Sequence, residues 1–325
     1  MQGPAQCDAG AVPGVIPWDN KQLVQQAHSL RESLPAPHQS NFRVVALLVY
    51  QDKEKGWQIV SGTNSEPAFI GGSICAERAA MCKLREQVKD FSDVSKVVVV
   101  SDAPGAISPG TLCREFLATH LDESVGVVMG GSVSKDPTVS AVGALYPHPC
   151  IYGAKPRSEQ VRFGFVFSQE AQKLEEAGEI IPGYGAAILE AYDLAQQATG
   201  KDKLDSIHPV RYAAAAVFED GSIEVTHQLK AIEYGSTLDP VVQLLPTLEK
   251  KREDGVKPVG LLQVDQFGNC HAPFAMARAL LTEHGYGDLI SVIHSSQRGV
   301  AVAKMSTLVP AAGTSYLSAE DISYS

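Results

Sequence analysis

Two stretches of this chain repeat one another in fixed register, and that constrains its fold more than any other feature, because similar segments must fold to similar units. Pro109 and Pro273, and likewise Arg114 and Arg278, stand 164 residues apart, while Asp102 and Asp265 stand 163 apart. Ile16-Pro17 opens a segment whose apolar positions Leu23, Ala27, Leu30 and Leu34 fall at helical spacing. Ile181-Pro182 opens another, with Ile188, Ala191, Ala195 and Ala198 on one face. Each helix is followed by a continuous apolar run, Val44 to Tyr50 and Tyr212 to Phe218, that reads as a buried strand. Leu145-Tyr146-Pro147 returns near the end of the second stretch as Leu308-Val309-Pro310.

The repeat divides the chain into a first unit at 14–156, a linker at 157–178 that includes the charged stretch Glu175 to Glu179, a second unit at 179–311 and a tail at 312–325. Within each unit the pattern predicts helix, strand pair, helix, strand, helix, strand, with Lys96 to Val100 and Val125 to Met129 as further buried strands. The expected fold class is α/β: two tandem three-layer α/β/α units, each around a mostly parallel mixed sheet. A chain of 325 residues that is 44% hydrophobic can bury two such cores.

A formal net charge of -10 provides no cationic surface on which a nucleic-acid backbone would release counterions, so a nucleic-acid partner is not expected. No apolar run reaches membrane-spanning length and the N-terminus lacks a basic, apolar leader pattern, so neither a membrane nor export is expected. The six cysteines, Cys7, Cys75, Cys82, Cys113, Cys150 and Cys270, are too scattered for a disulfide scaffold and suit a reducing cytoplasmic setting.

Two motifs carry chemistry. Gly71-Gly72-Ser73-Ile74-Cys75-Ala76-Glu77-Arg78 places a thiol and a carboxylate two residues apart where a helical run begins, and free N–H groups there favour a thiolate. Ser108-Pro109-Gly110-Thr111-Leu112-Cys113-Arg114 opens a second helical run with another thiol. Upstream lies the loop Ser61-Gly62-Thr63-Asn64-Ser65-Glu66-Pro67-Ala68.

From Phe42 to Pro147 these motifs resemble the zinc-dependent cytidine deaminases, of the two-domain dimeric type with a degenerate second copy. The resemblance implies hydrolytic deamination of cytidine or deoxycytidine in pyrimidine salvage, by a cytoplasmic homodimer acting on a small nucleoside. It implies one Zn2+ held by Cys75 and Cys113, with Glu77 moving the proton between water, the ring and the departing ammonia. It places Asn64 and Glu66 on the ribose, and Phe42 and Ala76 against the nucleoside. Arg78 and Arg114 would donate hydrogen bonds to the cysteine sulfurs.

Where that family has Pro-Cys-x-x-Cys, this chain has Pro109-Gly110-Thr111-Leu112-Cys113, so Gly110 occupies the place of one zinc ligand. Asp102, Cys82 and Cys150 are ligand types that do not replace it convincingly, and Cys82 is better read as core. Glu115, where the family has Gln, adds negative charge near the site. Carried 164 residues on, Cys75, Glu77, Gly110 and Cys113 fall on Asp239, Val241, Phe274 and Ala277, while Asn64 and Glu66 fall on Gln228 and Lys230. The second unit therefore reads as a scaffold copy; a different metal set of Asp239, Cys270 and His271 is the alternative on residue type. The other functional reading is a catalytically silent homologue that binds a nucleoside or acts as a scaffold. The tail after Pro310 could cover the active site in a dimer.

Overall fold

The computed structural model describes residues 16–133, 136–170, 174, 180–295 and 299–310. Cys7, the charged stretch at 175–179 and the tail after Pro310 lie outside the described residues. The chain separates into two compact units, one running to Tyr146 and one from Pro147 to Pro310.

The first unit begins with α1 (Asn20–Ser33), whose start is set by a capping box: the Asp19 side chain accepts from Gln22 N and the Gln22 side chain accepts from Asp19 N. Then follow β1 (Val44–Asp52), β2 (Gly56–Thr63), α2 (Ala76–Arg85), β3 (Val94–Ser101), α3 (Thr111–His120), β4 (Gly126–Gly130), β5 (Thr138–Ala141) and α4 (Val142–Leu145). The sheet order is β2-β1-β3-β4-β5. Strand β1 is apolar from Val44 to Tyr50 because both of its faces are covered there. Val45, Leu47 and Val49 pack under Leu23, Val24 and Ala27 of α1, while Ala46, Leu48 and Tyr50 face Ala80, Met81 and Leu84 of α2 and Leu117 of α3. Helices therefore lie on both faces of the sheet, in the expected three layers.

The sheet is mixed, but it is not mostly parallel. Only β3 and β4 run parallel, joined by the α3 crossover, whereas β1–β2, β1–β3 and β4–β5 are antiparallel. Parallel neighbours need a long crossover. The short turn at Lys53 to Lys55 closes β1 and β2 as a hairpin, and the connection through α2 delivers β3 to the far side of β1.

Gly62 on β2 fixes how closely α2 approaches the sheet. A Cβ there would lie 2.3 Å from both the Ala76 carbonyl oxygen and the Ala80 amide nitrogen, which are backbone atoms with no rotamer to yield. Gly62→Ala is expected to cost about 1–3 kcal/mol of stability, as overpacking does, and to displace the helix carrying Glu77. Thermal denaturation of the variant measures the first effect.

The second unit opens with α5 (Arg157–Glu170), followed by α6 (Gly185–Ala198), β6 (Tyr212–Phe218), β7 (Ile223–His227), α7 (Leu245–Glu253), β8 (Pro258–Asp265), β9 (Cys270–His271), α8 (Ala275–Glu283), β10 (Ile290–Ser295), β11 (Gly299–Lys304) and α9 (Met305–Leu308). Its sheet runs β11-β10-β8-β6-β7 with β9 paired to β8, and again only one pair on that path, β8 with β10, is parallel. The boundary between the units falls at Tyr146, earlier than 156, and most of the stretch expected as a linker is α5.

Local details of the first unit recur in the second. The bridge between Ser65 and Ile74 is matched by one between Leu229 and Leu238, and the 3-10 turn Ile70–Gly72 by Tyr234–Ser236. Arg114 Nε donates to the Pro109 carbonyl and its Nη1 to that of Leu145; Arg278 makes the same bonds to Pro273 and Leu308. Among the described residues no helix is long and apolar enough to cross a membrane.

Candidate active site

Two helix starts meet in the first unit. Cys75 is the N-cap of α2, held extended at φ −72° and ψ 156°. Ala76 is the first helical residue, fully buried, and Glu77 sits in the first turn at 3% exposure. The segment before Cys75 is fixed by the reciprocal backbone bonds between Ile74 and Ser65. On α3 the N-cap is Gly110, at φ −60° and ψ 156°. Cys113 thus lies within the first turn of that helix and does not open it, because the glycine takes the cap.

The ligand atoms of Cys75, Glu77 and Cys113 all lie within 4.8 Å of one another, and this is the one such group among the described residues. Cys113 Sγ donates to Glu77 Oε2 at 3.6 Å, and Arg78 Nη2 lies 2.8 Å from the Ser73 carbonyl and 3.8 Å from Cys75 Sγ. The electrostatics follow from this packing. A hydrogen bond from Cys113, then the Arg78 guanidinium, pulls the Cys75 thiol well below its ordinary range. Cys113, whose one proton is shared between Cys75 and Glu77 in a buried setting, is pushed up. Burial, then the charge on Cys75, raises the Glu77 carboxyl to about 7. A thiolate, a thiol and a neutral-range carboxyl sharing protons at this distance form a set from which a cation would displace those protons.

The donor chemistry suits zinc, which takes Cys sulfur and carboxylate oxygen. Cys75 and Cys113 are placed to hold it. A Cβ built on Gly110 meets nothing within 4 Å, so that position has room for a side chain that the sequence does not supply.

Asn64 and Glu66 are hydrogen-bonded to each other. Asn64 Oδ1 accepts from Val44 N at 2.9 Å, and its Nδ2 donates to the Phe42 carbonyl at 2.8 Å and to Glu66 Oε1 at 3.2 Å. Glu66 accepts from both the hydroxyl (2.7 Å) and the backbone N–H (2.8 Å) of Ser40, and the Ser40 hydroxyl is the main cause holding its carboxyl below the ordinary range. Ser40 belongs to no motif in the sequence. Its one signal was the polar turn before β1, where Asn41 takes a left-handed φ of 53°. Phe42 is tied to this group through its carbonyl.

The remaining candidates separate. Arg78 reaches the Cys75 sulfur, whereas the bonds traced for Arg114 run to Pro109 O, Leu145 O and Ser108 Oγ, clamping the loop before α3. Asp102 accepts from the backbone N–H and the guanidinium of Arg43, at 2.7 to 3.1 Å, so it serves the fold. Glu115 accepts from the Tyr146 hydroxyl. Cys82, expected in the core, is exposed, because the buried stripe of α2 is Ala76, Glu77, Ala80, Met81 and Leu84. Cys150 belongs to the second unit.

Residues 18–129 match the family model described as the cytidine and deoxycytidylate deaminase zinc-binding region. A cytidine deaminase of Halalkalibacterium halodurans is 30% identical over 112 residues, which cover 34% of this chain and 80% of the relative. The chain belongs to the cytidine deaminase family. A second cytidine deaminase, from Sporosarcina psychrophila, is 29% identical over 130 residues, 40% of this chain and 89% of that one. The crystal structure of cytidine deaminase from Burkholderia pseudomallei shares 30% identity and covers 39% of this chain and 95% of that one, with a TM-score of 0.35.

In the second unit of this cytidine deaminase family member, the positions corresponding to the cluster have other tasks. Asp239 Oδ1 accepts from Val241 N and Val242 N, capping a turn. Val241 and Ala277 are buried in apolar core, and Phe274 stands edge-on to Tyr212. Lys230 is a buried cation bonded to Asp202 at 3.0 Å and to the His208 carbonyl. Asp239, Cys270 and His271 do not form a metal set. Adjacent residues on a strand face opposite ways: Cys270 points into the core beneath α6, and His271 points to the other face, toward Asp265.

Proposed function

We propose that this chain hydrolyses the amino group of cytidine or deoxycytidine, as a cytoplasmic homodimer in pyrimidine salvage. The observation that carries the reading is the convergence of Cys75, Glu77 and Cys113 on one buried point, in the unit that also holds the paired Asn64 and Glu66. Zinc, when bound by Cys75 and Cys113, supplies Lewis acidity that brings the pKa of water to about 7. Glu77, with a carboxyl near neutrality, takes a proton from the attacking water, gives it to ring N3, and hands the second proton to the ammonia leaving C4. Arg78 holds Cys75 as a thiolate. Asn64 and Glu66 take the ribose hydroxyls, with Phe42 and Ala76 against the nucleoside.

We read the second unit as a duplicated copy that kept its sheet and its arginine clamp and lost its site. Exposed apolar side chains on corresponding loops, Phe69 and Ile70 in one unit and Ile232 and Tyr234 in the other, support pairing of two chains.

Ammonia release from cytidine, deoxycytidine and a cytosine-bearing single-stranded oligonucleotide tests the substrate class. The nucleosides are expected to turn over and the oligonucleotide to be inert; faster turnover of the oligonucleotide would overturn the nucleoside reading. Glu66→Gln is expected to raise KM for cytidine roughly 10- to 100-fold, the worth of a hydrogen bond to a charged group, with kcat changed less. Steady-state kinetics on that variant checks it.

A further inference from the structure

A second cluster of reactive side chains lies wholly within the second unit. Asp265 ends β8 with no exposure and is saturated with donors: Phe267 N and Asn269 N bond its Oδ1, while the Tyr152 hydroxyl (2.5 Å) and His271 Nε2 (2.9 Å) bond its Oδ2. His271, on β9, is sandwiched between the rings of Tyr152 and Tyr212, each with its centroid 5.4 Å away. The imidazole gives one nitrogen to Asp265, and the Cys150 sulfur is also within its hydrogen-bonding reach. That sulfur, half-buried and not in a disulfide, lies 3.7 Å from the Tyr212 hydroxyl. The loop bearing Cys150 is held by Arg278, 1% exposed, which donates to the carbonyls of Pro147 and His148. His148 takes a left-handed φ of 50°, an unfavourable conformation for a residue with a side chain. A thiol, an imidazole and a buried carboxylate thus share one cluster, the groups that together activate a thiol.

We propose that Cys150, backed by His271 and Asp265, is a redox modification site that reacts with small hydroperoxides. A half-buried sulfur among Ile151, Phe163, Phe167 and Phe274 admits a small uncharged electrophile. The sulfur, once deprotonated, attacks one oxygen of the peroxide: an S–O bond forms, the O–O bond breaks, and sulfur is oxidised by two electrons to a sulfenic acid. The leaving hydroxide, or alkoxide from an organic peroxide, takes the imidazole proton and departs as water or alcohol. Asp265, by bonding His271, raises the imidazole to about 10 despite its burial, so the ring carries that proton at neutral pH. Tyr212 stands beside the sulfur to hydrogen-bond the departing oxygen. Nothing in this chemistry uses Cys75, Glu77 or Cys113.

The test treats the full-length protein with hydrogen peroxide and a sulfenic-acid-trapping dione, then measures labelling of each cysteine by peptide mass mapping. Exposed Cys82 is the internal reference. Native Cys150 is expected to label roughly 10-fold faster than Cys82 or more, as thiols beside a protonated imidazole do, and to lose that lead in urea. Labelling of native Cys150 no faster than Cys82 overturns the proposal. His271→Gln should bring Cys150 down to the rate of Cys82 with the circular dichroism spectrum retained; a folded variant that labels like wild type also overturns it. If that variant does not fold, the native-against-urea comparison decides alone.

Discussion

Gly110→Cys is expected to increase zinc affinity by on the order of 100-fold or more, exceeding the 10–100-fold that outer partners of a metal site contribute. A catalytic zinc normally keeps three protein ligands, and this chain provides two cysteines with a carboxylate close by. Residues 110 and 113 share one face of the first turn of α3 at i,i+3 spacing, and the backbone at Gly110 has a negative φ that any residue adopts. A Cβ there meets nothing within 4 Å, so the new thiol costs no repacking. Competition with a chromophoric chelator measures the affinity, and cobalt substitution reports the added thiolate as stronger sulfur-to-metal absorption. Turnover should rise with occupancy. An unchanged affinity would mean that the third corner is already filled, with Glu77 the nearest candidate.

Glu77→Gln distinguishes those two roles. If Glu77 moves protons and is not a ligand, the variant keeps its zinc while kcat falls roughly 100- to 10,000-fold, the usual contribution of a positioned acid-base group. The amide is nearly isosteric and can still accept from Cys113, which donates to Glu77 Oε2 in the native protein. Metal analysis and kcat on one preparation therefore suffice: joint loss of zinc and activity assigns Glu77 to the metal, and loss of activity alone assigns it to the proton.

What was legible in the sequence is what depends on local spacing. Cys75 and Glu77 are two residues apart at a helix start, and Cys113 falls within the first turn of the next helix, so their convergence follows once α2 and α3 lie on one face of the sheet. The gap at Gly110 and the register between the units were equally visible, because both are matters of counting. Strand direction was less so: the pattern shows that a helix intervenes between β2 and β3, but not that β3 is inserted beside β1. The core placement expected for Cys82 failed because, at 3.6 residues per turn, it falls on the face of α2 opposite the stripe of Ala76, Glu77, Ala80, Met81 and Leu84. The cluster of Cys150, His271 and Asp265 was out of reach, since it joins positions more than a hundred residues apart through the loop that Arg278 clamps. Residue type alone pointed instead to Cys270 and His271 acting together, whereas the strand turns them to opposite faces.

The central claim is that two thiolates and Glu77 make a working zinc deaminase despite Gly110. Its most direct test is uridine formation from cytidine by the purified full-length chain, measured with zinc supplied and again after chelation. Zinc is expected to bind at one ion per chain when supplied, turnover to track occupancy, and turnover lost on chelation to return with zinc. Stoichiometric zinc with cytidine left unchanged, or turnover indifferent to zinc, would contradict it.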